Sequence, residues 1–243
     1  MYVLGIESAT PVAAVAVASG AGILAERVVL NQRTHSVNLL PMIKATLADA
    51  GVKGTELAGV AVSSGPGSFT GLRIGMSVAK TLAQVWGIPV AAVSTLRGLA
   101  YQLAGHSRLL CPILNARKNE VYTAVYEHSN PADQPEVLAS PLAVGIAGLI
   151  EILEDWRKPV TFLGDAVPLY RTQLNESLGE RAFFAPAALS FPRGAVIAEL
   201  GLRAIADGHG ADPLELQPEY IRFSEAETLW RNKNAGAPSA LRG

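Results

Sequence analysis

The residues with the clearest chemical potential form a glycine-rich stretch at positions 63–75, SSGPGSFTGLRIG. An apolar run at 57–62 precedes it and a long apolar segment at 72–86 follows it, which predicts a strand-to-helix turn. Such a turn directs backbone N–H groups and the positive end of a helix dipole at one point, where an anion could bind. The turn could equally be structural, with Ser68 or Thr70 as the N-cap of the helix.

The spacing within this stretch departs from the best-known phosphate loops. A Walker loop has lysine and then serine or threonine after its last glycine, whereas Gly71 is followed by Leu72 and Arg73. A dinucleotide fingerprint that starts at Gly65 would need glycine at the position of Thr70. The pattern alone therefore leaves a ligand-binding loop and a structural turn open.

The other side chains that could take part in catalysis are isolated. Glu7 ends the first apolar segment, and its carboxylate could hold a metal-bound water, position a phosphate or cap the next turn. Asp165 after Gly164 is typical of a turn, and Arg117 with Lys118 is typical of solvated charge at a hairpin tip. The four histidines lie far apart in the sequence, and no Gly-x-Ser-x-Gly pattern occurs. We therefore predict no catalytic residue, no metal ligand and no cofactor.

The elements that would position these residues fall into two units. Residues 1–104 show the order β-β-β-α-β-α-β, which predicts a mixed sheet that starts with an antiparallel meander and carries helices. Residues 105–206 begin with a hairpin and continue with alternating helices and strands, which predicts a second, reduced lobe. Residues 207–243 form a C-terminal extension that could return to the first lobe, and its small polar end is predicted to be disordered.

Two predicted helices of the first unit carry more apolar surface than one sheet can cover. Along the helix at 72–86, one row holds Leu72, Met76, Ala79, Ala83 and Trp86. A second row holds Ile74, Val78, Leu82 and Val85. The helices could pack on each other, but the apolar excess favours an exposed surface that recruits a partner. The candidate interface residues are Leu39, Leu40, Ile43, Leu47, Leu72, Gly75, Met76, Ala79 and Ala83.

Composition narrows the class of protein. Of the 243 residues, 49% are hydrophobic and 17% are charged, which is enough for a sizeable core or for a core with a buried interface. The net charge of −1 provides no electrostatic footprint for nucleic acid or for an anionic membrane. The lone Cys111 excludes a disulfide framework, and its apolar setting predicts an inert buried thiol. With no signal-like segment and no membrane-spanning apolar run, we expect a cytoplasmic protein that does not contact membranes.

Several stretches together resemble one family. The segment at 3–10 is similar to the opening of the actin/hexokinase/Hsp70-type fold, although Glu7 stands where that fold usually has aspartate. Four more stretches are similar to the TsaB (YeaZ) family, a subunit of the bacterial tRNA threonylcarbamoyladenosine biosynthesis complex, at 35–43, 64–75, 115–122 and 218–222. The glycine stretch is the most specific of these similarities.

The resemblance implies an α/β protein with the actin-like ATPase (ASKHA) superfamily fold, two lobes of mixed sheets flanked by helices. It implies a non-catalytic scaffold that pairs through its first-lobe helices with a TsaD-type catalytic subunit, while a TsaE-type ATPase joins the assembly. The complex would transfer threonylcarbamoyl to adenosine 37 of tRNAs that read ANN codons, and this subunit would contact tRNA only indirectly and form a homodimer in isolation. The ligand loop would then be vestigial and consist of Glu7, Ser8, Gly65, Gly67, Thr70 and Gly71.

Two alternatives of the same superfamily remain. A metal-dependent, glycoprotease-like peptidase would need a zinc or nucleophile site. A small-molecule kinase would need a paired aspartate and a second phosphate hairpin in the latter half of the chain. The sequence shows neither pattern.

Overall fold

The computed structural model describes residues 1–30, 35–128 and 134–222. The described strands are β1 (Tyr2–Glu7), β2 (Ala13–Ser19), β3 (Gly22–Val29), β4 (Leu57–Gly65), β5 (Val90–Ser94), β6 (Leu109–Asn115), β7 (Glu120–Glu127), β8 (Glu136–Gly145), β9 (Val160–Leu163) and β10 (Ala182–Phe184). The described helices are α1 (His35–Ala50), α2 (Phe69–Trp86), α3 (Thr95–Tyr101), α4 (Ile146–Glu154), α5 (Val167–Leu178) and α6 (Gly194–Ala206). They form two lobes, each built on a five-stranded mixed sheet.

The sheet of the first lobe has the order β3-β2-β1-β4-β5. The predicted antiparallel meander is present, and β1 also pairs in parallel with β4. The central strand β1 is apolar at nearly every position because both faces of this sheet are covered. Leu4 and Ile6 pack into the same cluster as residues of α1 and α2, whereas Val3 packs with α6.

Helix α6 corrects the predicted boundary between the lobes. The sequence predicts that residues up to 206 belong to the second lobe, but α6 lies on the first sheet, against β1, β2 and β4. The approach is very close, because a Cβ on Gly5 would lie 2.4 Å from the amide nitrogen of Ala198 and a Cβ on Gly201 would lie 2.1 Å from the Cβ of Ala61. Small residues on both elements allow this packing, so the chain returns to the first lobe before residue 206.

The sheet of the second lobe has the order β10-β9-β6-β7-β8. Helices α4 and α5 pack with one set of its core side chains, and α3 packs with another. The sequence does not predict β8, because this edge strand is half-exposed, contains Pro141 and lacks a clear apolar alternation. The hairpin of β6 and β7 is present as predicted.

Two remaining expectations concern the ends of the chain and membranes. The predicted disorder at the C-terminal end concerns residues 232–243, which lie outside the described residues. Within the described ranges, no helix combines the length and the apolarity that a bilayer crossing requires.

Candidate functional site

The glycine stretch forms the predicted strand-to-helix turn between β4 and α2. Ser68 is the N-cap of α2, and its hydroxyl accepts a hydrogen bond from the amide of Gly71 at 3.3 Å. The amide of Ser68 itself donates to the carbonyl of Ala9 at 2.6 Å. Amide groups of this turn therefore form hydrogen bonds within the protein: one to the N-cap side chain and one to the connection between β1 and β2.

The glycines of this stretch allow backbone to approach backbone. A Cβ on Gly67 would lie 2.2 Å from the carbonyl oxygen of Ala9, and a Cβ on Gly71 would lie 2.1 Å from that of Ser8. Gly65 has a φ of +120°, and a Cβ there would lie 2.5 Å from the carbonyl oxygen of Glu219. This packing supplies a structural reason for each of these glycines that does not require a ligand.

We predict that Gly71→Ala destabilises the protein by about 1–3 kcal/mol, because the new methyl group would overlap the Ser8 carbonyl oxygen. Gly20→Ala is the control, because no atom beyond the adjoining backbone lies within 4 Å of a Cβ placed on Gly20. Urea denaturation of both variants measures the effect. Equal free energies of unfolding for the two variants would contradict the packing argument.

Glu7 is completely buried at the end of β1. Its Oε1 accepts a hydrogen bond from the amide of Ala9 at 2.6 Å, while its Oε2 has no partner among the described residues. Burial raises the pKa of Glu7 to about 7, although the Ala9 amide favours the charged form. The carboxyl group is therefore close to half-protonated near neutral pH.

This pKa predicts a specific dependence of stability on pH. Between the ordinary pKa of 4.5 and the folded-state value of about 7, the folded protein keeps a proton that the unfolded chain has released. The free energy of unfolding should therefore fall by up to about 3 kcal/mol as the pH rises through this range. Glu7→Gln cannot ionise and should lose this dependence, whereas Glu176→Gln at an exposed site should retain it. Urea titrations at about pH 5 and about pH 8 test this, and parallel curves for wild type and Glu7→Gln would refute it.

A cavity of about 560 Å³ lies between the two lobes beside the glycine stretch. The first lobe lines it with residues that include Thr10, His35, Gly67, Phe69 and Thr70. The second lobe contributes Asn115, Arg117, Lys118, Tyr122 and Asp165, and the C-terminal segment contributes residues 219–222. Arg117 and Lys118 occupy the predicted hairpin tip, both with left-handed backbone conformations.

Asp165, on the second-lobe side of this cavity, contacts the hairpin of β6 and β7. Its Oδ1 accepts a hydrogen bond from the amide of Asn115 at 2.9 Å. Burial raises the pKa of Asp165, and the Asn115 amide partly opposes this effect. In the described part of the chain, no group of three or more histidine, cysteine, aspartate and glutamate side chains could hold a metal ion.

The candidate partner surface requires a correction. Seven of its nine residues, namely Leu39, Ile43, Leu72, Gly75, Met76, Ala79 and Ala83, are buried within this chain. Small residues bring α2 close to its own lobe: a Cβ on Gly75 would lie 2.1 Å from the Ser8 hydroxyl oxygen. Of the other two residues, Leu47 is partly buried and Leu40 is 54% exposed.

The second apolar row of α2 is less buried than the first, although three of its residues still pack against the core of the first lobe. Ile74, Val78 and Leu82 are only partly buried, and Val85 is 73% exposed. Leu40, together with Val37, exposes further apolar surface on α1. We call the set Val37, Leu40, Ile74, Val78, Leu82 and Val85 the outer helix face. The sequence contained this row, but its periodicity could not decide which of two apolar rows faces the sheet.

Comparisons with known proteins point to proteins of tRNA threonylcarbamoyladenosine modification. The family model described as "TsaD: tRNA N6-adenosine threonylcarbamoyltransferase" matches residues 17–230. The tRNA threonylcarbamoyladenosine biosynthesis protein TsaB of Bacillus subtilis is 34% identical over 231 residues, which cover 95% of this chain and 98% of that protein.

Solved structures are similar in fold. YeaZ from Pseudomonas aeruginosa superimposes with a TM-score of 0.71 at 24% identity, over 90% of this chain and 99% of that one. The ROK hexokinase from Thermus thermophilus has a TM-score of 0.50 at 14% identity, over 83% of this chain and 100% of that one. The two lobes thus have the actin-like ATPase (ASKHA) fold that the sequence predicted.

Proposed function

Because this chain belongs to the TsaB (YeaZ) family of tRNA threonylcarbamoyladenosine biosynthesis proteins, we propose that it is a non-catalytic scaffold in that modification. It pairs with a TsaD-type catalytic subunit, and the pair transfers threonylcarbamoyl to adenosine 37 of tRNAs that read ANN codons. A TsaE-type ATPase joins this cytoplasmic assembly.

The observation that carries the proposal is the outer helix face. Three of its six side chains, Val37, Leu40 and Val85, are exposed, and exposed large apolar side chains on a monomer are candidates for contact with a partner. Val85, at 73% exposure, and Leu40, at 54%, would lose this exposed area on association. Exposed Ser77, Thr81 and Gln84 border the row on α2, which supplies the polar rim of a protein interface.

The same face offers a route to a homodimer in the absence of the catalytic subunit. A two-fold axis would place the outer helix face of one copy on that of another, because an isologous interface uses the same patch on both subunits. The catalytic subunit would compete for this patch, so homodimer and heterodimer would be mutually exclusive. The net charge of −1 supports a role in which this chain contacts tRNA only indirectly.

Reconstitution tests the proposal. The TsaD-type subunit, the TsaE-type ATPase, tRNA and threonylcarbamoyl-AMP are combined with and without this chain, and modified adenosine is measured by mass spectrometry. We expect modification to require this chain. Equal modification without it would contradict the scaffold role, and transfer by this chain in the absence of the TsaD-type subunit would contradict its non-catalytic character.

A further inference from the structure

The segment that follows α6 runs from the first lobe to the second. We name residues 211–222 the C-terminal strap. At its start, Ala211 exchanges two backbone hydrogen bonds with Val90 of β5, at 2.8 and 3.0 Å. Further along, the Nζ of Lys80 on α2 donates to the carbonyl oxygen of Leu216 at 2.8 Å. These contacts fix the first half of the strap to the first lobe.

The strap then passes the glycine stretch. The amide of Glu219 donates to the carbonyl oxygen of Ser64 at 2.7 Å. The Tyr220 ring lies 4.8 Å from the ring of Phe69, and the Nε of Arg73 donates to the Tyr220 hydroxyl oxygen at 3.2 Å. Backbone and aromatic contacts thus continue the attachment to the first lobe up to residue 220.

The end of the strap reaches the second lobe through Arg222. One guanidinium nitrogen donates to the carbonyl oxygen of Ala116 at 3.0 Å, and another lies 2.9 Å from the carboxylate of Glu120. Both residues belong to the hairpin whose tip lines the cavity between the lobes. The Arg222 and Glu120 side chains are 30% and 34% exposed, so salt screens this ion pair.

We propose that the C-terminal strap is a latch that holds the two lobes together at the cavity between them, and that it releases at Arg222. The buried packing of α3 against β6 and β7 joins the lobes at a second place, which would act as the hinge. Strap residues 219–222 and hairpin residues 115–118 line the same cavity. Loss of the Arg222 contacts would therefore free the hairpin to move away while the strap stays attached to α2.

Distances between spin labels in the isolated full chain test the latch. Labels are attached at Lys44→Cys on α1 and Thr172→Cys on α5, one exposed helix position in each lobe. Native Cys111 is fully buried, and burial raises the pKa of its thiol to about 12, so it should not be labelled. We expect one narrow distance distribution in the parent chain and an added, shifted population in Arg222→Gln.

Two further variants make the comparison specific. Glu120→Gln removes the same ion pair from the other side, so it tests the latch even if Arg222→Gln unfolds. Arg181→Gln breaks the ion pair of Arg181 with Glu154, which has a similar exposure but lies within the second lobe. We expect a shifted population in Glu120→Gln and none in Arg181→Gln.

Hydrogen exchange supplies a second readout on the unlabelled chain. The amides of Ala116 and Glu120 donate backbone hydrogen bonds within the hairpin. Both should exchange about tenfold faster in Arg222→Gln than in wild type. High salt should produce the same change in wild type. The latch is wrong if neither Arg222→Gln nor Glu120→Gln alters the distance distribution, or if Arg181→Gln alters it equally. Because no partner is present, these outcomes do not depend on the proposed function.

Discussion

A single Val85→Glu substitution is expected to weaken binding of the TsaD-type subunit by about a hundredfold or more, because it would bury an unpaired carboxylate in the proposed interface. Val85 lies near the end of α2 and is 73% exposed in the isolated chain. The variant should therefore melt at nearly the wild-type temperature, since changes at exposed sites rarely alter stability by more than about 0.5 kcal/mol. Isothermal titration with the purified TsaD-type subunit measures the loss.

Leu169→Glu is the matched control for this experiment. Leu169 lies on α5 of the second lobe, away from the outer helix face, and is 63% exposed. It receives the same change from an exposed apolar side chain to a carboxylate, and its affinity should stay at the wild-type value. Wild-type affinity in Val85→Glu, or an equal loss in both variants, would remove the support for the outer helix face as the interface.

Ala79→Glu, on the buried side of the same helix, should instead unfold much of the protein. Ala79 is 0% exposed and belongs to the core that α2 forms with the first sheet and α1. An unpaired buried charge costs several kcal/mol, which is a large share of the roughly 5–15 kcal/mol by which domains are stable. Circular dichroism melting measures the loss directly, without any partner.

Ala48→Glu shows whether the cost comes from burial rather than from the new residue type. Ala48 is exposed near the end of α1, where glutamate is a good helix former. The Ala48→Glu variant should melt at nearly the wild-type temperature. If Ala79→Glu were equally stable, its side chain would have to reach solvent, and the orientation of α2 would be wrong. Compared with Val85→Glu, Ala79→Glu and its control show which face of α2 is buried in the fold and which is exposed.

The glycine stretch illustrates how far local patterns extend. Its apolar flanks predicted a strand, a turn and a helix with an N-cap, and β4, Ser68 and α2 confirm that order. A local pattern could not predict the residues that these glycines contact, because Ser8, Ala9 and Glu219 lie far from them in the sequence. Close backbone approach leaves no periodic signal, so a phosphate loop and a packed turn look alike in sequence.

The two apolar rows of α2 show a different limit. Helical periodicity identifies residues that share a face, but both rows satisfy it equally. The apolar excess predicts that the row with the smallest residues meets a partner, whereas Gly75 and Ala79 in fact allow α2 to approach its own lobe. Only the location of the sheet decides which row is covered.

The sequence by itself determined the order of most elements, the strand-to-helix turn at the glycine stretch and the family resemblance, because these depend on local backbone preferences and on short motifs. The tertiary structure alone decided that α6 returns to the first sheet, that Glu7 loses contact with water, and that Arg222 reaches the second lobe. Each of these depends on contacts between segments far apart in the chain. Residue types permit such contacts, but only the packing of the two lobes selects among them.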